Sequence, residues 1–135
     1  MALIEWNESF SVGVSFFDLQ HKQLLSMLNE LHAAIEVGKG KEALGPTLQR
    51  LSGYWMMHFT AEEAKMKEFD YPDIEAHKTE HLAFTIKLQA LKDKSIAGKD
   101  QVPEQTLNFL KDWFVTHISV TDMKFKDFFR SKGVH

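Results

Sequence analysis

HFTAEEAKM, residues His58 to Met66, is the stretch on which the reading of this chain turns. Leu51, Trp55, His58, Glu62, Met66 and Phe69 recur at three- and four-residue steps, the spacing of one face of an α-helix. Leucines at positions 58 and 62 would pack such a face well. A histidine and a carboxylate stand there instead. An unpartnered carboxylate turned toward a core costs several kcal/mol, so the stretch asks what partners it meets inside.

Working outward, residues 1–14 read as an irregular arm whose Trp6, Phe10, Val12 and Val14 lie on the body. Ser15 and Asp18 have the spacing of a capping box. Leu24, Leu25, Leu28, Leu31 and Ile35 then follow at helical spacing, and Gly38 and Gly40 stop that helix. A second helix begins between 41 and 46, with Pro46 suited to its first turn, and Asp70-Tyr71-Pro72 breaks it. A third runs over about 72–95, with Ile74, His77, His81, Phe84, Leu88 and Leu91 on one face. Residues 96–102, holding Gly98 and Lys99-Asp100, form a loop, and Pro103 opens a fourth helix that ends near 130. Leu107, Leu110, Phe114, His117, Ile118 and Phe125 give that helix its apolar side. Nothing alternates as a strand would. The expectation is an all-α, antiparallel up-down four-helix bundle over 15–130, in one domain spanning 1–135, with 131–135 a tail.

Bulk properties narrow the function. A chain of 135 residues with 44% hydrophobic content can bury a real core. A net charge of −3 gives no basic field for nucleic acid. The absence of cysteine removes disulfides, thiolate metal sites and a cysteine nucleophile. No apolar run has membrane-spanning length and no signal peptide opens the chain, so a cytoplasmic location is expected. The initiating Met1 and the short tail favour a free-standing protein.

Each helix carries metal-capable residues on its inner stripe. They are His21 on the first, His58 and Glu62 on the second, His77 and His81 on the third, and His117 and Asp122 on the fourth. His58/Glu62 and His77/His81 are (i, i+4) pairs, side by side on one face, and can reach one metal or two adjacent metals. His117 and Asp122 are five apart, off a common face of a straight α-helix. Either they approach a site from two sides, or the helix is irregular there, as a π-bulge would make it. A single such histidine is more often a hydrogen-bonded core residue than a ligand. Five imidazoles and two carboxylates with no inward arginine are better explained together, by dications that give each a partner. The set is too nitrogen-rich for calcium or magnesium and too large for one tetrahedral zinc. Two octahedral ions with bridging carboxylates fit, and iron suits so much imidazole better than manganese does. His32 matches no inner position, and His135 lies in the tail.

In the motifs SVGVSFFDLQHKQLL, HFTAEEAKM, YPDIEAHKTEHLAF and WFVTHISVTD the chain resembles the hemerythrins, the bacterial hemerythrin-like domains in particular. The pattern H…HxxxE…HxxxH…HxxxxD spans nearly the whole chain. The resemblance implies two iron ions (Fe2+/Fe3+) with an oxo or hydroxo bridge. His77, His81 and His117 would bind one iron; His21 and His58 would bind the other and leave it an open position; Glu62 and Asp122 would bridge. It implies reversible O2 binding for carriage, storage or delivery, with small anions or NO as other occupants of the open iron. Phe59, Met66, Trp113 and Phe114 would wall the O2 pocket. Phe114 stands where the family more often has Leu or Ile, and Phe125 where it often has Tyr.

Few anionic ligands should make oxidation beyond Fe(III) difficult, which favours a carrier over an oxygenase. An O2 or redox sensor domain, its arm the moving part, is the nearest alternative. A di-iron oxidase, peroxidase or nitric-oxide-handling protein is the other.

Overall fold

The computed structural model describes residues 3–98 and 101–135, so Lys99-Asp100 of the expected loop lie outside the described residues. The elements are a 3₁₀ turn at Glu8–Phe10 and helices α1 (Ser15–Glu36), α2 (Gly40–Glu68), α3 (Ile74–Ile96) and α4 (Val102–Thr116). A π-helical segment, His117–Asp122, then leads without a break into α5 (Met123–Ser131). The α4–π–α5 run forms the fourth rod. Consecutive rods pack side by side, and α4 closes the ring against α1. The result is an all-α four-helix bundle, and no strand occurs among the described residues.

The rod starts differ in three details from the reading of the sequence. Val14, not Ser15, is the N-cap of α1, and no side chain caps it. The capping-box spacing serves the arm instead. Asp18 accepts the Val12 N–H at 2.8 Å and the Ser11 hydroxyl at 2.6 Å. Gly40 opens α2 rather than closing α1. A side chain there would stand 2.9 Å from Ile35 Cγ1 and 3.1 Å from Pro103 Cβ, so the close approach of three rods requires glycine. The stop of α1 falls to Gly38, whose φ of +75° is the left-handed conformation of a helix C-terminus. Pro46 lies inside α2, not in its first turn. The carbonyl that loses its N–H partner belongs to Glu42, which is exposed, so water can satisfy it.

The core has three tiers. At one end leucines meet from all four rods: Leu24, Leu28 and Leu31; Leu44, Leu48 and Leu51; Leu88 and Leu91; Leu107 and Leu110. At the other end Phe17, Phe125 and Phe129 pack with Tyr71 into an aromatic cap. The polar inner residues lie between. The arm is tied down by Asn29, whose side chain accepts the Leu3 and Ile4 N–H groups and donates to the Ile4 carbonyl. The Phe10 ring meets Phe114 edge-on at 5.6 Å.

Candidate metal centre

Helical periodicity turns His21, His58, Glu62, His77, His81, His117 and Asp122 inward, and none is more than 3% exposed. The pairs on α2 and α3 need only a regular helix. Asp122 needs more. The widened turn from His117 to Asp122 brings the residue five positions on under the first. The five-residue spacing that a straight helix cannot use is thus resolved by the π segment.

All five imidazoles present Nε2 to the same space. His77 Nε2 lies 3.3 Å from Glu62 Oε1 and His81 Nε2 3.2 Å from the same oxygen. His58 Nε2 lies 3.1 Å and His21 Nε2 3.5 Å from the other oxygen, Oε2. Asp122 divides likewise. Its Oδ1 is 3.1 Å from His77 Nε2 and 2.9 Å from His117 Nε2, and its Oδ2 is 3.4 Å from His21 Nε2. Each carboxylate therefore gives one oxygen to a three-histidine group and the other to a two-histidine group. Neighbouring ligands about 2.1 Å from one metal lie about 3 Å apart, which is the spacing found.

The electrostatics are those of groups needing a cation. Burial by itself would raise Glu62 and Asp122. The surrounding histidines outweigh it, His58 first for Glu62 and His117 first for Asp122, and hold both carboxyls below their usual range. Burial pulls His21 and His77 down, but the carboxylates more than reverse it, taking His77 to about 10. His58 moves down, because burial exceeds the pull of Glu62. Even so, Glu62 Oε2, both Asp122 carboxylate oxygens and Nε2 of His81 and His117 are buried without a hydrogen bond of good geometry. Those orphaned atoms all face the same interior. Two groups, Glu62-His77-His81-His117 and His21-His58-Glu62-Asp122, have donors close enough to hold one ion each.

The outer nitrogens bring in three residues that the sequence reading did not single out. His58 Nδ1 donates to Gln20 Oε1 at 2.6 Å, and His81 Nδ1 to Glu63 Oε2 at 2.8 Å. His117 Nδ1 faces Glu80 Oε2 at 3.2 Å. Gln20 and Glu63, as acceptors, make Nδ1 the donor nitrogen of His58 and His81 and leave Nε2 aimed inward, while Glu80 stands beside the His117 ring. Their only trace in the sequence is a polar residue directly beside a ligand-type residue. On a helix that resembles ordinary solvent-facing charge.

The expected pocket residues sit variously. Phe59 stacks on the His81 ring at 3.8 Å and 10°, and Trp113 on His117 at 4.0 Å and 14°. Met66 is fully buried. Phe114 is also fully buried and packs toward the arm. Phe125 lies 5.7 Å from the His77 ring. His32 pairs with Glu36 at 3.0 Å on the flank of α1, and His135 is exposed.

A four-helix bundle with paired histidine–carboxylate groups at mid-core defines a class of metal-binding proteins, and comparison with known proteins identifies it. The Hemerythrin HHE cation binding domain matches residues 12–129, and the chain belongs to the hemerythrin family. It is 38% identical to the bacteriohemerythrin of Methylococcus capsulatus (strain Bath), over 90% of this chain and 93% of that protein. It is 32% identical to that of Stenotrophomonas maltophilia, over 94% and 82%. The crystal structure of a wild-type hemerythrin superposes with a TM-score of 0.85 at 35% identity, covering 93% of this chain and 97% of that one. A hemerythrin point mutant gives 0.86 at 36%, over 94% and 97%. The family binds O2 and holds a non-haem di-iron site.

Proposed function

We propose that this protein binds O2 reversibly at a di-iron centre, for carriage, storage or delivery. The observation that carries the reading is the division of each carboxylate: one oxygen of Glu62 and of Asp122 faces each histidine group. His77, His81 and His117 would hold one iron and His21 and His58 the other, with Glu62 and Asp122 bridging. The two-histidine iron then has fewer protein ligands, which is where O2 would enter. Held by these residues, a pair of ferrous ions would supply the electrons that reversible O2 binding requires.

The chain's own residues supply the rest. Gln20 and Glu63 hold His58 and His81 in the tautomer that leaves Nε2 for a metal, and Glu80 pairs with the outer nitrogen of His117. The leucine tier and the aromatic cap keep bulk water from the cluster from either end. Among the described residues only Glu62 and Asp122 bring carboxylates to the interior, so the donor set is mostly neutral. That favours release of O2 over its cleavage and makes binding, rather than catalysis, the proposed activity.

The test is the visible absorption of anaerobic, ferrous-loaded protein before O2, after O2 and after argon purging. Charge-transfer bands that appear with O2 and vanish on purging are expected. Bands that persist as a ferric product would replace this reading with that of a redox sensor or an oxidase.

A further inference from the structure

The outer partners of the histidines differ in charge between the two groups. On the two-histidine side the acceptor is the Gln20 amide, which is 2% exposed. On the three-histidine side the outer partners are carboxylates: Glu63 accepts from His81, and Glu80 pairs by charge and distance with His117, the two being 28% and 47% exposed. Glu80 also accepts the Thr121 hydroxyl at 3.2 Å, which ties it to the π segment. A surface cleft of about 180 Å³, bordered by Tyr71, His77, Glu80 and Lys124, reaches this side of the cluster.

This placement has a physical logic. A carboxylate at position 20 would be a third buried negative charge close to Glu62 and Asp122, and its desolvation would be costly. An amide fixes the His58 tautomer without that charge. Glu63 and Glu80 stand at the rim, where water can solvate a carboxylate and its desolvation cost is small. A carboxylate that accepts Nδ1–H makes the imidazole a stronger donor through Nε2, and such outer partners change metal affinity about 10–100-fold.

We propose that Glu63 and Glu80 are positioning residues that make the three-histidine position the tighter, first-filled metal site, while Gln20 keeps the two-histidine position weaker and more exchangeable. The proposal rests on the two-metal reading above and deepens it. Ligand number alone, three imidazoles against two, would favour the same order. What the outer carboxylates add is a separate contribution that isosteric amides remove.

The experiment is anaerobic calorimetric titration of metal-free protein with Zn2+, which binds without redox change. Wild type should take up two ions in two resolved steps. Glu63→Gln with Glu80→Gln should weaken the tighter step by at least about tenfold and leave the weaker step within about twofold. The same loss should appear in a His58→Ala background, where only the three-histidine position remains intact. Gln20→Glu should tighten the weaker step. If that variant fails to fold, the Glu63 and Glu80 result decides alone, with circular dichroism showing that their helix content is unchanged. Two steps that do not move, or that weaken equally, would overturn the proposal and leave the two-metal reading intact. A wild type that binds no Zn2+ would overturn both.

Discussion

The leucine tier and the metal tier occupy the same bundle and are held together by different physics. Around Leu28, Leu48 and Leu91, burial of apolar surface suffices, and neither pH nor metal switches it off. Around Glu62 and Asp122, both fully buried, the same helices enclose charges that apolar neighbours cannot satisfy. Metal-free protein must balance them with protons on the imidazoles, as the upward shifts of His21 and His77 show. The comparison teaches that the fold and the site are separable. One tier makes the bundle stand; the other makes it depend on pH and on metal.

The sharpest way to break the separation is Glu62→Ala. Each of its oxygens faces a different histidine group, so its loss should drop the bound metal from two ions per chain to one or fewer, measured by elemental analysis after anaerobic loading. Thermal stabilisation by metal should shrink with it, because a ligand stabilises only the state it binds. Retention of both ions would mean that Glu62 is a buried counter-ion and not a bridge. Leu48→Ala is the reciprocal change. It should cost about 2–5 kcal/mol in urea unfolding and leave two ions bound. A loss of metal in that variant would show that the tiers are coupled.

Much of this division was legible in the sequence, because helical periodicity marks inward positions whether they hold Leu48 or His58. The five-residue step from His117 to Asp122 left two readings open, an approach from two sides or an irregular turn, and the π segment is the second. Local chemistry misled where distant contacts decide. Ser15 and Asp18 have capping-box spacing, but Asp18 holds the arm. Gly40 reads as a helix stop until Pro103, remote in sequence, is seen against it. Pro46 reads as a helix start because sequence does not show that the Glu42 carbonyl can reach water. Gln20, Glu63 and Glu80 were invisible as functional residues, because what distinguishes them is the histidine of a neighbouring rod.

A pH series sharpens the comparison further. In metal-free protein His77 has its pKa raised to about 10 from an ordinary 6.5. A raised histidine contributes stability that is fully present below 6.5 and lost as pH climbs through about 10. Glu62 and Asp122 act in the opposite sense, with their contribution present above the ordinary carboxyl range and lost in acid. Urea midpoints of metal-free protein should therefore fall from pH 6.5 to 10. Metal-loaded protein should lack that fall, since a ligating His77 is already neutral. Parallel curves for the two forms would remove His77 from the ligand set.

The smallest effect belongs to Tyr71, at the border between the metal tier and the aromatic cap. Its ring packs against Phe125 and Phe128. Burial first, then the charges of Asp73 and Asp122, push its phenol up to about 12. An unfolded tyrosine ionises near 10, so between about pH 10 and 12 the unfolded state gains a phenolate that the folded state resists, and stability falls as pH rises. Tyr71→Phe should remove that part of the alkaline loss, giving a higher urea midpoint than wild type at pH 11 and little difference at pH 8. Because Asp122 acts on the phenol only through its charge, metal content should stay at two ions. If Tyr71→Phe instead weakens metal binding, the phenol belongs to the centre and the border of the metal tier lies one residue layer further into the cap.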